Sequence, residues 1–388
     1  MQGTRVLPVL LALAVAAGFV IHFVTRNGNG AGRGAPDMIA EAREFVEAGS
    51  GMAFRSAPVL DTLGSDAALA TRVEGYLDRR FGPSGLARRT RALELLGALP
   101  PGQNMRTQLL VAEATGTRVW FDDLAGTLHV GPGFDPALPA DQGALINALS
   151  RLLVYQHHGP AAPPGDDAWL AWRGVAGGLG ASNEAAYRQS IPGEADIPTS
   201  AETEREASLM SLPIYLHGIA QFPVFEGKDF LEIPGARATI LAHPPASTDW
   251  FLREFESVEA LCRDLERRAD APPDAPPAMP PDIPDPTLVE SLGALGARLL
   301  FERHGDFAQA STLAARLEAD IYVLFSTGTG DHLRWTARFA APRDAEQARA
   351  LLTAWLEQDS PSSDPRSKQI VVDGATLVLS NESGPTGE

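Results

Sequence analysis

Cysteine is nearly absent from this 388-residue chain, where Cys262 stands alone. That excludes an intrachain disulfide and any cysteine-built zinc cluster, and it leaves the redox compartment open. Lysine is almost as scarce: Lys228 and Lys368 are the only two, so the remaining positive charge is arginine. Positive charge as a whole falls short, with 32 Lys and Arg against 49 Asp and Glu and a formal net charge of −17. This balance argues against nucleic acid and anionic lipid surfaces as partners, since both reward basic patches. No Gly-x-Ser-x-Gly elbow and no Walker lysine occurs. Gly328-Thr329-Gly330 lacks the third glycine and the following helix of a dinucleotide fingerprint, so it reads as a turn. No two of the eight histidines lie four residues apart, so no helix offers a His pair to a metal. The adjacent His157 and His158 point apart on a helix and suit its C-terminal end. A Ser-His-Asp triad gathered from distant residues stays open.

The chain is long enough for two domains and a substantial core. Val6 to Val24 is an apolar run of near-membrane length between Arg5 and Arg26, with His22 its one ionisable residue. Residues 1–25 are therefore expected to form a signal anchor, a transmembrane helix that ties the chain to the membrane. The protein would then be single-pass, with its bulk extracytoplasmic, in the periplasm or at the cell surface. The alternative is secretion after signal cleavage, with Ala14-Val15-Ala16 as the small-residue site. Residues 26–37 are rich in Gly and Asn and read as a flexible tether.

Residues 38–270 form the expected main domain. Helices are expected over Met38–Ala48, Asp66–Phe81, Leu86–Leu96 and Thr107–Ala114. Arg118–Asp122 and Leu128–Val130 read as a hairpin. Leu145, Leu149 and Leu153 recur at i, i+4 and i+8 in a buried central helix. Ala168–Arg188 is helical in pattern, but Gly174, Gly177, Gly178 and Gly180 imply close helix approach or a break. Ile191–Glu206 reads as a polar loop. Ser208–Phe222, Phe230–Leu241 and Thr248–Arg268 read as further helical stretches. Residues 271–286 are a Pro-rich linker and the clearest internal boundary. Residues 287–380 form a small α+β module: a helix over Leu288–Arg303, more helix at Ala308–Leu317 and Ala345–Glu357, strands at Ile321–Phe325 and Leu333–Phe339, and a hairpin about Asp373-Gly374. Residues 381–388 are a tail. The expected fold class is α+β, mostly helical, with a small sheet beside the central helix.

Several segments carry a resemblance in order. Leu93-Glu94-Leu95-Leu96-Gly97-Ala98-Leu99-Pro100-Pro101 is followed by Trp120-Phe121-Asp122, Gly126 and Leu128-His129-Val130. The central helix then ends Val154-Tyr155-Gln156-His157, and Pro244-Pro245-Ala246-Ser247-Thr248-Asp249 comes later. In this arrangement the chain resembles a bacterial family of gluzincin-like zinc metallopeptidases. The resemblance implies a zincin-like domain in which His-Glu-x-x-His on the central helix holds zinc. It also implies that a strand beside that helix serves as the edge on which peptide is laid.

Carried over position by position, the catalytic residues are missing. Asn147 stands at the first ligand position, Ala148 at the Glu position and Arg151 at the second ligand. Gly177 stands at the third ligand on the next helix. Asn is a poor zinc ligand, Arg keeps its proton and cannot coordinate, and Ala148 offers no base. The chain therefore reads as a pseudopeptidase with degenerate positions Asn147, Ala148, Arg151 and Gly177. It is expected to hold no cofactor and no metal, and to bind a peptide or protein partner in the cell envelope. Two alternatives are a hydrolase with an unrecognised active site and a purely structural envelope protein.

Overall fold

The computed structural model describes residues 35–160, 165–191, 198–269, 279–283, 285–358 and 368–381. In chain order the first elements are α1 (Ala35–Ser50), β1 (Val59–Thr62), α2 (Asp66–Phe81), α3 (Gly85–Leu96) and α4 (Met105–Ala114). Next come β2 (Val119–Asp122), β3 (Thr127–Val130), α5 (Pro139–His158), α6 (Asp166–Gln189), α7 (Ser200–Met210) and α8 (Ile214–Gln221). A π-helical turn (Pro223–Gly227) leads into α9 (Lys228–Leu231), α10 (Arg237–Ala242), α11 (Asp249–Leu252) and α12 (Val258–Ala269). The C-terminal part is β4 (Leu288–Glu290), α13 (Gly293–Glu302), α14 (Phe307–Ala314), β5 (Leu317–Thr327), β6 (Gly330–Phe339), α15 (Pro342–Gln358), β7 (Gln369–Asp373) and β8 (Thr376–Ser380). The class is α+β.

Helices begin where the sequence supplies caps. The extended residues Ser65 and Asn104 accept the amide hydrogens of Ala68 and Thr107 and so open α2 and α4. Thr199 and Glu202 form a reciprocal capping box for α7. That box makes residues 200–206, expected as loop, the first turns of a helix. Pro213 then separates α7 from α8, and Pro234-Gly235 separates α9 from α10.

The first sheet has the order β1-β3-β2. The hairpin β2–β3 turns at Gly126, and β1 adds to β3 in parallel, with Leu60 opposite Leu128. The second sheet, β4-β5-β6-β8-β7, is antiparallel throughout. Leu324, Leu333, Trp335 and Leu379 from this sheet join Leu69, Leu149 and Leu179 in one apolar core that runs through both parts of the chain. The described end of the Pro-rich segment packs on the far side of β5, where Ile283 is buried with Ile321, Val323 and Phe325.

The expected transmembrane helix requires correction. No helix among the described residues is long and apolar enough to cross a membrane, and the run Val6–Val24 lies outside the described residues. The membrane as a partner and the single-pass extracytoplasmic placement rested on that helix, and both are withdrawn. The tether up to residue 34, the linker at 270–278 and the tail after Asn381 also lie outside the described residues.

The stretch expected as one helix, Leu288–Arg303, instead splits into β4 and α13. Gly293 makes the corner at φ +65°, where a side chain would collide with Asp167. Asp320 caps the new helix. Its carboxylate accepts from the Leu292 and Gly293 amides at 2.9 and 3.0 Å, from Ser291 Oγ at 2.6 Å and from the Trp335 indole at 2.8 Å. Every residue of α13 from Gly293 to Phe301 is buried. It packs against α6, α8 and α11, so the C-terminal part is wedged into the helical part.

Asp167 closes this junction. It accepts from the Thr248 amide at 3.1 Å and from the Thr248 hydroxyl, whose oxygen in turn accepts the Leu295 amide at 2.9 Å. Burial pushes the Asp167 carboxyl up to about 7; the Thr248 hydrogen bonds oppose the rise and the Asp320 charge adds to it. The folded chain therefore keeps a proton that the unfolded chain gives up near 3.8. Stability linked to Asp167 is complete below about pH 4 and is lost as pH rises through about 7. Asp167→Asn cannot ionise, and its amide oxygen still accepts from Thr248. It is expected to raise Tm at pH 8 by about 2–8 °C and to change it little at pH 4. A variant that melts lower than the parent at pH 8 would show that the carboxylate is needed there.

Candidate functional site

The central helix α5 carries Asn147 and Arg151 one turn apart. Its partner α6 runs antiparallel to it: Gln142 meets Tyr187 and Asn147 meets Gly180, while Arg151 lies near Arg173. The two helices approach closely at Gly180, where an added Cβ would lie 2.6 Å from the Asn147 amide oxygen. Asn183 donates to Ser150 at 2.9 Å across the same seam.

The four aligned positions have distinct surroundings. Asn147 donates from Nδ2 to Glu184 at 3.0 Å. Ala148 is buried in the apolar core. Arg151 holds its guanidinium 5.7 Å from the centre of the Phe121 ring on β2, and its buried Nε has no partner among the described residues. Gly177 faces away from this pair: a Cβ there would lie 2.6 Å from Pro223 Cβ in the π-helical turn. The carboxylate that reaches Asn147 therefore comes from Glu184, two turns further along α6.

Arg151 belongs to a buried charged cluster that the motif comparison did not reveal. Arg173 of α6 donates to Glu113 Oε1 of α4 at 2.7 Å, and the Trp120 indole donates to Glu113 Oε2 at 3.2 Å. Arg205 of α7 donates to the Thr117 hydroxyl. Asp123, in the β2–β3 turn, is 2% exposed, and its Oδ1 has no partner among the described residues. Burial opposes ionisation of Glu113, but the charges of Arg173 and Arg151 outweigh it and hold the carboxyl at about 2. For Asp123 burial wins over the same two arginines, and the carboxyl is pushed up to about 6. Burial and the like charge of Arg173 both disfavour the charged Arg151 guanidinium. The neighbouring Tyr76 hydroxyl is pushed well up by burial and then by the Asp123 charge.

One signal in the sequence pointed here. Arg173 is the single charge in the stretch from Ala168 to Asn183, on a helix that must be buried. A lone arginine there needs a carboxylate, and Glu113 supplies it across 60 residues.

The two histidines that end α5 are engaged elsewhere. His157 Nε2 lies 2.9 Å from the Ala53 carbonyl, and His158 Nε2 lies 2.7 Å from that of Leu241. Among the described residues no group of three His, Cys, Asp or Glu side chains is placed to hold a metal ion. Two small, partly open pockets of about 20 and 30 Å³ adjoin Gln142–Tyr187 and Arg89–Asp166 respectively. Each has room for one or two water molecules, and neither is lined by Asn147 or Arg151.

The first sheet alters the expected peptide edge. β3 is central, paired on both sides, and every residue of β2 is buried. The accessible edge is β1, where Val59 is 61% exposed. No protein-family model matches this chain, and neither does any curated protein or any solved structure.

Proposed function

We propose that the chain is a binding protein on a gluzincin-like frame, one that takes a peptide or protein partner and does not carry out zinc-dependent hydrolysis. The observation that carries this reading is Arg151. A permanent cation, buried against Phe121 and beside Arg173, occupies the position where the resemblance implies a metal ligand. It cannot coordinate, and it repels a dication. The accessible β1 edge supports the peptide half of the reading, because an open strand edge offers backbone hydrogen bonds to an extended chain.

The test is a peptide library presented to the purified full chain, read for retention and for cleavage, with and without added zinc. Retention without cleavage is expected, and Val59→Glu should weaken it. Zinc-dependent cleavage by the unmodified protein would refute the reading.

A metal-site variant probes the same frame. Asn147→His with Arg151→His places two imidazoles one turn apart, with the Glu184 carboxylate beside the first of them. Ala148 is left unchanged because a glutamate there would be buried in the core. The double variant is expected to bind zinc about 10–100-fold more weakly than a native site, since supporting hydrogen bonds are missing. Adding Gly177→Glu should lower Tm through the clash with Pro223 and leave zinc affinity unimproved. A chelator competition in which Gly177→Glu tightens zinc binding would overturn the assignment of Glu184 as the facing carboxylate.

A further inference from the structure

We propose that the arginine cluster of Arg151, Arg173 and Arg205 is a binding site for a single carboxylate, supplied by a peptide's C-terminus or acidic side chain. The proposal rests on the peptide-binding reading for the source of the carboxylate, but not for the site itself.

Three helices each contribute one guanidinium to this cluster: α5, α6 and α7. Both oxygens of Glu113 are engaged, one by Arg173 and the other by the Trp120 indole. Arg205 spends a donor on the Thr117 hydroxyl. Arg151 is left with a buried Nε that bonds to no described residue, and the Asp123 Oδ1 is likewise unpartnered. Arginine does not escape such a position by losing its proton. A guanidinium N–H buried without an acceptor is destabilising, and a bound carboxylate relieves it.

Geometry selects the class of ligand, because a planar carboxylate matches the fork of a guanidinium with two parallel hydrogen bonds. Arg151, Arg173 and Arg205 are each partly exposed as whole residues, so the cluster opens to the surface at its rim. The chain as a whole carries a net charge of −17, so attraction of an anion depends on these short-range contacts rather than on the overall field.

The test uses the full chain in thermal-shift and calorimetric titrations at constant ionic strength. Sodium acetate is the probe, and sodium chloride and sodium phosphate are the controls. Acetate is expected to raise Tm with saturation, beyond either control. Arg151→Met should lower acetate affinity about tenfold or more, the loss of one charge-assisted hydrogen-bond pair. An apolar side chain of similar length should keep the parent's baseline Tm or exceed it. Arg205→Met serves as a second variant should the first fail to fold, with the same expected loss. A response to acetate no larger than to chloride overturns the proposal, and so does an undiminished response in both variants.

A pair of peptides identical except for a free or amidated C-terminus identifies the source. Tighter binding of the free acid, lost in Arg151→Met, supports the C-terminal carboxylate. Equal binding of both, lost on converting a Glu in the peptide to Gln, supports the side chain. Peptide binding that is indifferent to Arg151→Met sinks this site and leaves the peptide-binding reading standing. Acetate binding with no peptide binding does the reverse.

Discussion

Replacing Gly178 by leucine is expected to abolish the fold, and even Gly178→Ala should lower stability by about 1–3 kcal/mol or more. At this point α6 touches the π-helical turn backbone to backbone. A Cβ on Gly178 would lie 2.4 Å from the carbonyl carbon and oxygen of Gly227 and 2.8 Å from the Lys228 amide nitrogen. Gly227 returns the contact, since its own Cβ would lie 2.3 Å from the Gly174 carbonyl oxygen. No flexible side chain is present to move aside, so the whole turn would have to shift from α6. Far-UV circular dichroism during heating and in urea measures the loss. Gly75→Ala in α2 is the control of opposite sign: only the tip of Arg79 approaches, at 3.6 Å, and alanine there should add about 0.5–1 kcal/mol. A Gly178→Ala protein that melts with the parent would show that the turn is free to retreat.

Removing the charge of Arg89 should cost about 3–5 kcal/mol, the usual penalty for breaking one side of a buried ionic network. Arg89, on α3, is 7% exposed. It forks onto Asp166 at the start of α6 with bonds of 2.7 and 2.9 Å, and it also reaches Glu290 on β4. Arg89→Met leaves those two carboxylates facing each other without a cation. Burial and then the Asp166 charge already push Glu290 up to about 7 in the intact protein. The linked stability is full below the unfolded value of about 4.5 and is lost as pH rises through about 7. Arg89→Met removes the charge that restrains this rise. The urea midpoint of the variant should therefore fall most at pH 8 and recover in part at pH 5. The triple variant Arg89→Met, Asp166→Asn, Glu290→Gln should regain much of the loss at pH 8. A midpoint for Arg89→Met that does not depend on pH would mean that the carboxylates find other partners.

Local chemistry made much of the fold legible. Ser65 and Asn104 announce helix starts, Gly82 and Gly97 follow helix ends, and Asp373-Gly374 turns a hairpin, because each choice is decided within four residues of chain. The parts that escaped depend on distant partners. Val59–Thr62 has little strand character of its own, and becomes β1 by pairing with Thr127–Val130. Leu288–Glu290 satisfies an apolar helical pattern equally well, and the β5 partner decides it as strand. The site shows the same division. The absence of zinc-ligand residues at 147 and 151 is visible in the letters themselves. Which residue of α6 faces them is not, because each step along a helix turns the side chain about 100° and an almost wholly apolar helix gives no polar stripe to orient it. Gly177 turns toward Pro223, and it is Gly180 and Glu184 that meet Asn147. Glu113 and Arg173 find each other only through the tertiary fold.

The buried helix α13 bears on how this protein is made. Its nine buried residues complete a core whose first described members are Ala42 and Phe45, more than two hundred residues earlier. During synthesis the helical part emerges with the seat for α13 still bare, including the slot at Gly218 into which Leu299 fits. Asp320 on β5 is also needed to start the helix, so sealing waits until that strand has left the ribosome. A nascent chain stalled before that point would show an oily cleft to chaperones and proteases. A premature stop just before Gly293 would thus remove far more folded protein than the residues it deletes.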